Sequence, residues 1–249
     1  MLASDTLGSG RRVALLHGFT QTRRCWNGLD ELLSQSHEVV RVDLPGHGEA
    51  GPVGRPLEET ADLLADEVGA AIWVGYSMGG RHALRVAVDH PEVVEGLVTI
   101  GATAGIETEA ERAERRALDA QRASALIVQG VADFLDEWMR LPLFAGLPPE
   151  AAHRDERLGN TVEGLASSLV VAGTGMQAPM WGDLRGAEAP AAFVVGGRDE
   201  KFAALAQRLD DAWGGPSRVR TVAGAGHAAH LEDPAAVAAI IDHLSRVAA

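Results

Sequence analysis

The sequence predicts an α/β fold, a mostly parallel, doubly wound sheet with a helical lid inserted into it. Three observations predict it. Short apolar runs alternate with longer amphipathic stretches. The runs are apolar on both faces, as parallel strands covered by helices must be. One internal region, about 103–183, breaks the alternation with helical patterns alone.

Taken in order, Val13–Leu16, Glu38–Val42, Ala71–Gly75, Gly96–Ile100, Ala191–Val195 and Arg218–Val222 read as strands. Helical periodicity covers Leu57–Val68, Met78–Asp89, Phe202–Trp213 and Ala235–Val247, with Pro234 in the first turn and Asp233 as its cap. Strand–helix alternation implies right-handed crossovers. The core is therefore expected over 1–102 and 184–249, as one domain. The lid, 103–183, is expected to hold helices at Glu109–Gln129, Phe134–Leu141 and Leu165–Val171, punctuated by Pro142, Pro148, Pro149 and Pro179. The short, polar amino terminus suggests that any early antiparallel strands are reduced.

The chain has 249 residues, 46% of them hydrophobic, enough for one large core. Its net charge of −13 argues against nucleic acid as a partner, although a basic pocket is compatible with an acidic surface. Cys25 is the single cysteine, so no disulfide forms within the chain. Residues 1–11 carry no apolar stretch of signal-peptide length, and no window approaches the roughly 18 apolar residues that span a bilayer. The expected location is cytoplasmic. Metal-ligand spacings and phosphate-binding glycine loops are not found, so no metal and no cofactor are expected.

Gly75-Tyr76-Ser77-Met78-Gly79 has the form G-x-S-x-G, placed between an apolar strand and a helix. That spacing puts a serine on a sharp turn with its hydroxyl over the sheet, and glycines two before and two after let the backbones approach. A serine nucleophile or base needs an imidazole in reach and a carboxylate to orient it. Asp199 and His227 follow the last two predicted strands, in the chain order this arrangement uses, at the strand ends where open sheets place their sites. The plain alternatives are a helix cap for Asp199 and a solvated loop for His227; His230 is the rival base. The backbone N–H groups of Met78 and Phe19 are the expected oxyanion donors, with His17 bracing the Phe19 loop.

Together His17-Gly18-Phe19, Asp43-Leu44-Pro45-Gly46-His47-Gly48, Gly75–Gly80, Gly197-Arg198-Asp199 and Gly226-His227 make the chain resemble the α/β-hydrolase superfamily. A narrower resemblance lies in Gly75–Arg81, Glu111-Arg112-x-x-Arg115-x-x-x-Asp119, Trp138 before Pro142-Leu143-Phe144, Arg157-x-x-Asn160, Gly173-Thr174-Gly175-x-Gln177-x-Pro179-x-Trp181 and Asp199–Phe202. These segments resemble the 2-succinyl-6-hydroxy-2,4-cyclohexadiene-1-carboxylate synthases, lyases of menaquinone biosynthesis. Leu158-Gly159 and Ala178 depart from that pattern.

The resemblance implies a small polycarboxylate substrate, 2-succinyl-5-enolpyruvyl-6-hydroxy-3-cyclohexene-1-carboxylate. It also implies proton abstraction by Ser77, activated by His227, followed by elimination of pyruvate. It carries substrate-binding roles onto Arg81, Arg115, Arg157, Tyr76 and Trp138. On spacing alone, Arg81 lies one helical turn after Ser77 and shares its face, whereas Arg115 reads as the i,i+4 partner of Glu111 and Trp138 as core. The competing readings are a carboxylesterase acting through an acyl-enzyme with the same triad, and a binding protein without activity.

Overall fold

A computed structural model of the chain describes residues 2–248. These residues form a seven-stranded sheet in the order β1-β3-β2-β4-β5-β6-β7. The strands are β1 (Ala3–Gly8), β2 (Arg11–Leu16), β3 (His37–Asp43), β4 (Ala71–Tyr76), β5 (Val94–Ile100), β6 (Ala191–Gly196) and β7 (Ser217–Val222). All neighbours pair in parallel except β1, which runs antiparallel to β3 with Ala3 opposite Asp43 and Gly8 opposite Glu38. Each of the six expected strands is present.

β1 is the single antiparallel strand among the described residues. Its side chains alternate between half-buried and exposed, so it carries no apolar run to read. It is held by backbone pairing along one edge, and Asp5 receives hydrogen bonds from Arg41 and Arg23, residues distant in sequence.

Alternation along each central strand sends side chains to two separate cores. Ala14, Leu16, Ala71 and Trp73 pack on one face with α2 (Leu57–Val68), α3 (Met78–Asp89) and α7 (Glu200–Ala212). Val13, Leu15, Ile72 and Val74 pack on the other with α1 (Leu29–Ser34), α8 (Ala229–Glu232) and α9 (Pro234–Val247). Both faces are covered, and every residue of β4 and β6 is buried. The Asp233 side chain accepts from Ala236 N–H at 2.9 Å and caps α9, with Pro234 at its start.

Between β5 and β6 the described residues contain helices and turns without a strand: α4 (Glu109–Met139), α5 (Arg154–Leu158) and α6 (Val162–Ala172). The expected pair 109–129 and 134–141 is one element broken at Gly130, whose φ of 82° and ψ of 173° only glycine adopts readily. The chain bends there and resumes its helix. Ala123, Leu126 and Phe134 of α4 pack on Leu165, Ala166 and Leu169 of α6, giving the insertion a small core of its own.

Core position and exposure set the cost of truncation. Leu64 is fully buried between α2 and the sheet, whereas Leu118 on α4 is 42% exposed. Leu64→Ala is expected to lose about 2–5 kcal/mol of unfolding free energy, and Leu118→Ala less than about 1 kcal/mol, in paired urea titrations. Equal losses would contradict this assignment of the core.

Candidate active site

Ser77 sits between β4 and α3 at φ 49° and ψ −103°, a left-handed position rare for serine. Its N–H donates to Ile100 O at 2.8 Å. The turn is this tight because α3 begins against the end of β2: a Cβ on Gly79 would stand 1.9 Å from Leu16 O. The second glycine of the motif is thus required by packing.

His227 lies in the loop after β7, and Asp199 between β6 and α7. His227 Nδ1 is 2.7 Å from Asp199 Oδ2, and its Nε2 is 3.3 Å from Ser77 Oγ. A hydrogen bond from Nδ1–H to the carboxylate leaves Nε2 with a lone pair facing the serine hydroxyl. The capping alternative for Asp199 is also realised: Oδ1 accepts from Phe202 N–H at 3.3 Å, so one carboxylate caps α7 and orients the imidazole. The ring of His227 is enclosed by Phe202 at 4.3 Å, Tyr76 at 5.3 Å and Phe144 at 6.4 Å between centroids. His230, the rival base, packs against Tyr76 with ring centroids 4.1 Å apart in the core and is fully buried.

Ser77 and His227 open into a cavity of about 470 Å³ between the sheet and the helical insertion. Phe19 and Met78 line it too. Met78 is the first residue of α3, so its amide is one of the helix's free donors. The amides beside Phe19 are occupied, Gly18 N–H by Gln21 Oε1 and Thr20 N–H by His47 Nε2. His17 braces the loop, with Nε2 accepting from Leu44 N–H at 3.0 Å and Nδ1 2.9 Å from Gly18 O.

The expected arginines separate into two groups. Arg81 and Arg115 line the cavity. Arg81 donates to Gln177 Oε1 at 3.2 Å, and burial followed by the Arg115 charge lowers its pKa to about 10. Arg115 pairs with Asp119 at 2.8 Å; Glu111 instead accepts from Thr108 at the start of α4, so the Glu111–Arg115 pair suggested by spacing is not formed. Arg157 is buried behind the site, outside the cavity lining, and donates to Ala152 O and Thr20 Oγ1. Tyr76 is likewise behind the site, in the core under His227. Trp138 does line the cavity, packed edge-on to Phe19 at 5.2 Å.

Three further cations, Arg122, Lys201 and Arg208, share the lining, which contains only two carboxylates, Glu107 and Glu111. Arg122 could have been found by periodicity, because it lies two turns beyond Arg115. Lys201 and Arg208 follow Asp199 on α7 and look like ordinary solvated helix residues. The result is a cationic cavity in a chain of net charge −13. Among the described residues, no helix is long and apolar enough to cross a membrane.

Burial also sets the state of the supporting histidines. It lowers the pKa of His17 to about 4 and of His47 to about 3, so both are neutral at pH 7. An imidazole whose folded pKa lies below its unfolded value near 6.5 takes up a proton on unfolding. Its stabilisation is complete above about pH 6.5 and is lost progressively as the pH falls towards 4. The urea midpoint is therefore expected to fall between pH 6.5 and 5, before most carboxylates titrate; a flat midpoint over that window would contradict neutral, buried His17 and His47.

Residues 13–240 match the alpha/beta hydrolase family. The chain is 33% identical over 245 residues to the 2-succinyl-6-hydroxy-2,4-cyclohexadiene-1-carboxylate synthase of Salmonella paratyphi C, covering 94% of this chain and 92% of the relative. Among solved structures, MenH from S. aureus superposes with a TM-score of 0.93 at 28% identity, over 100% of this chain and 99% of that one. A thermophilic esterase from Thermogutta terrifontis superposes with a TM-score of 0.85 at 24% identity, over 99% of this chain and 93% of the other; that likeness is one of fold.

Proposed function

The chain belongs to the alpha/beta hydrolase family and, within it, to the 2-succinyl-6-hydroxy-2,4-cyclohexadiene-1-carboxylate synthases, and from that premise we propose that it is a carbon–oxygen lyase of menaquinone biosynthesis, acting in the cytoplasm. Its substrate in this reading is 2-succinyl-5-enolpyruvyl-6-hydroxy-3-cyclohexene-1-carboxylate. His227 Nε2 takes the proton of Ser77 Oγ as that oxygen removes a proton from the substrate ring. The C–H electron pair forms a new ring double bond, the existing ring double bond shifts by one position, and the ring C–O bond breaks as the leaving oxygen departs as the enolate of pyruvate. Protonation at carbon, balanced by the proton that the His227 imidazolium gives up, completes pyruvate. Water takes no part, and serine acts as base without forming an acyl-enzyme.

The observation that carries this reading is that Arg81, Arg115 and Ser77 line one cavity. Carboxylates of the substrate would be held bidentately by guanidinium groups, in a site where burial strengthens each contact. Asp199 stabilises the imidazolium that forms on His227. The amides of Met78 and Phe19 face the developing anion. Trp138 supplies apolar wall. Arg157 and Tyr76 act from behind, Arg157 by holding the Thr20 loop and Tyr76 by backing the ring of His227.

The Ser77–His227–Asp199 line is equally the equipment of acyl transfer, which supports a carboxylesterase as the second reading. One assay separates the two. Purified protein is expected to release pyruvate from the enolpyruvyl substrate and to turn over p-nitrophenyl acetate poorly; fast ester hydrolysis without pyruvate would favour the esterase. Ser77→Ala and His227→Ala are each expected to remove most turnover, and the double variant little more, because the two groups act as a unit. Arg81→Lys is expected to lose about tenfold or more in kcat/KM, since an ammonium provides no two-pronged contact. An Arg81→Lys enzyme equal to the parent would remove Arg81 from the site.

A further inference from the structure

Two guanidinium groups on the cavity wall share one buried carboxylate. Arg115 and Arg122 are seven residues apart on α4, two turns along one face, and both line the cavity. Asp119 lies between them and is 1% exposed. Arg115 Nε is 3.0 and 2.8 Å from its two oxygens, and Arg122 Nη1 is 3.3 Å from Oδ1. The carboxylate is wedged against the end of α6, where a Cβ on Gly173 would stand 2.7 Å from Oδ2. Asp119 is therefore a fixed anchor.

The donors it engages matter. Through Nε it leaves the paired terminal Nη atoms of Arg115 unengaged by the carboxylate, and through Nη1 the Nε–Nη2 edge of Arg122, in two side chains that line the cavity. Either edge presents two parallel N–H groups, the geometry that a carboxylate accepts bidentately. Arg122 is fixed on a second side, with its guanidinium carbon 5.3 Å from the centroid of the Trp138 ring. That ring is backed by Phe134 and Phe19. Neither guanidinium is free to sweep the cavity as a solvated arginine would be.

We propose that Arg122 is a binding residue for a carboxylate of the substrate, and that Asp119 is the positioning residue that aims Arg115 and Arg122 into the cavity. This rests on the polycarboxylate reading above and deepens it. It assigns the second arginine of α4 to the site while Arg157 serves the loop behind. Asp119 then has an effect opposite to its charge. As a plain negative charge in the wall it would weaken anion binding, and its removal would tighten it. As an anchor it strengthens binding, and its removal weakens it.

Succinate, a dicarboxylate without the reacting group, is the probe, titrated into the full chain by calorimetry. Saturable binding is expected in the parent. Arg122→Gln is expected to weaken it about tenfold or more, the loss of a charge-assisted contact. Arg122→Lys should restore only part. Asp119→Asn, close in shape, should weaken binding by about fivefold or more although a negative charge has been removed. Tighter succinate binding in Asp119→Asn would overturn the anchor, and parent-like affinity in Arg122→Gln, or no binding by the parent, would overturn the assignment of Arg122. Should Asp119→Asn fail to fold, the Arg122 variants still decide the binding role. Arg122-dependent succinate binding in a protein that releases no pyruvate would leave this inference standing and sink the lyase reading instead.

Discussion

The close approach of α3 to the end of β2 is the constraint on which the site depends. With Gly79 pressed onto the carbonyl of Leu16, the chain has only the Ser77 residue in which to turn from strand to helix. That residue takes a left-handed conformation worth about 1–3 kcal/mol of strain, which the flanking core sustains. The same packing leaves the amide of Met78 unpaired at the start of a helix and puts Arg81 one turn above the hydroxyl. The position of the Ser77 hydroxyl, the free amide of Met78 and the first cation of the cavity are consequences of one contact.

A second constraint is electrostatic. The chain carries 35 acidic and 22 basic side chains, yet the cavity over Ser77 is lined by five cations and two carboxylates. Most arginines elsewhere are spent on ion pairs, such as Arg23 with Asp43 and Arg41 with Asp30. Within the insertion, Asp119 draws Arg115 and Arg122 to the same wall, while Glu109 takes Arg112 and Arg116 outward. The sorting is done by helix faces: residues three, four and seven apart share a side, and the outer side absorbs the acids. An acidic protein thereby keeps a compartment suited to anions.

The two sides of Ser77 are built differently. The cavity side is apolar and cationic, with Phe19 and Trp138 beside the arginines. The rear is a packed layer of buried polar groups, in which burial depresses the pKa of His17 and His47 and the Arg157 guanidinium reaches the Thr20 loop. That layer holds the loop of Phe19 and Thr20 from behind.

Local sequence determined the six parallel strands, the α2 and α3 boundaries and the serine turn, because each is written in short-range terms: apolar runs, helical period and glycine spacing. The order of Ser77, Asp199 and His227 was legible for the same reason, each following a readable strand. β1 was not legible, since a polar edge strand exists only through pairing with β3. The Arg115 partner was misread from spacing, because both Glu111 and Asp119 lie four residues away and only the fold shows which is wedged under α6 and which caps the helix. Arg157 and Arg122 exchange their expected prominence on the same grounds. Which side of a helix meets a cavity depends on where its neighbours stand, and that is set by contacts between residues remote along the chain.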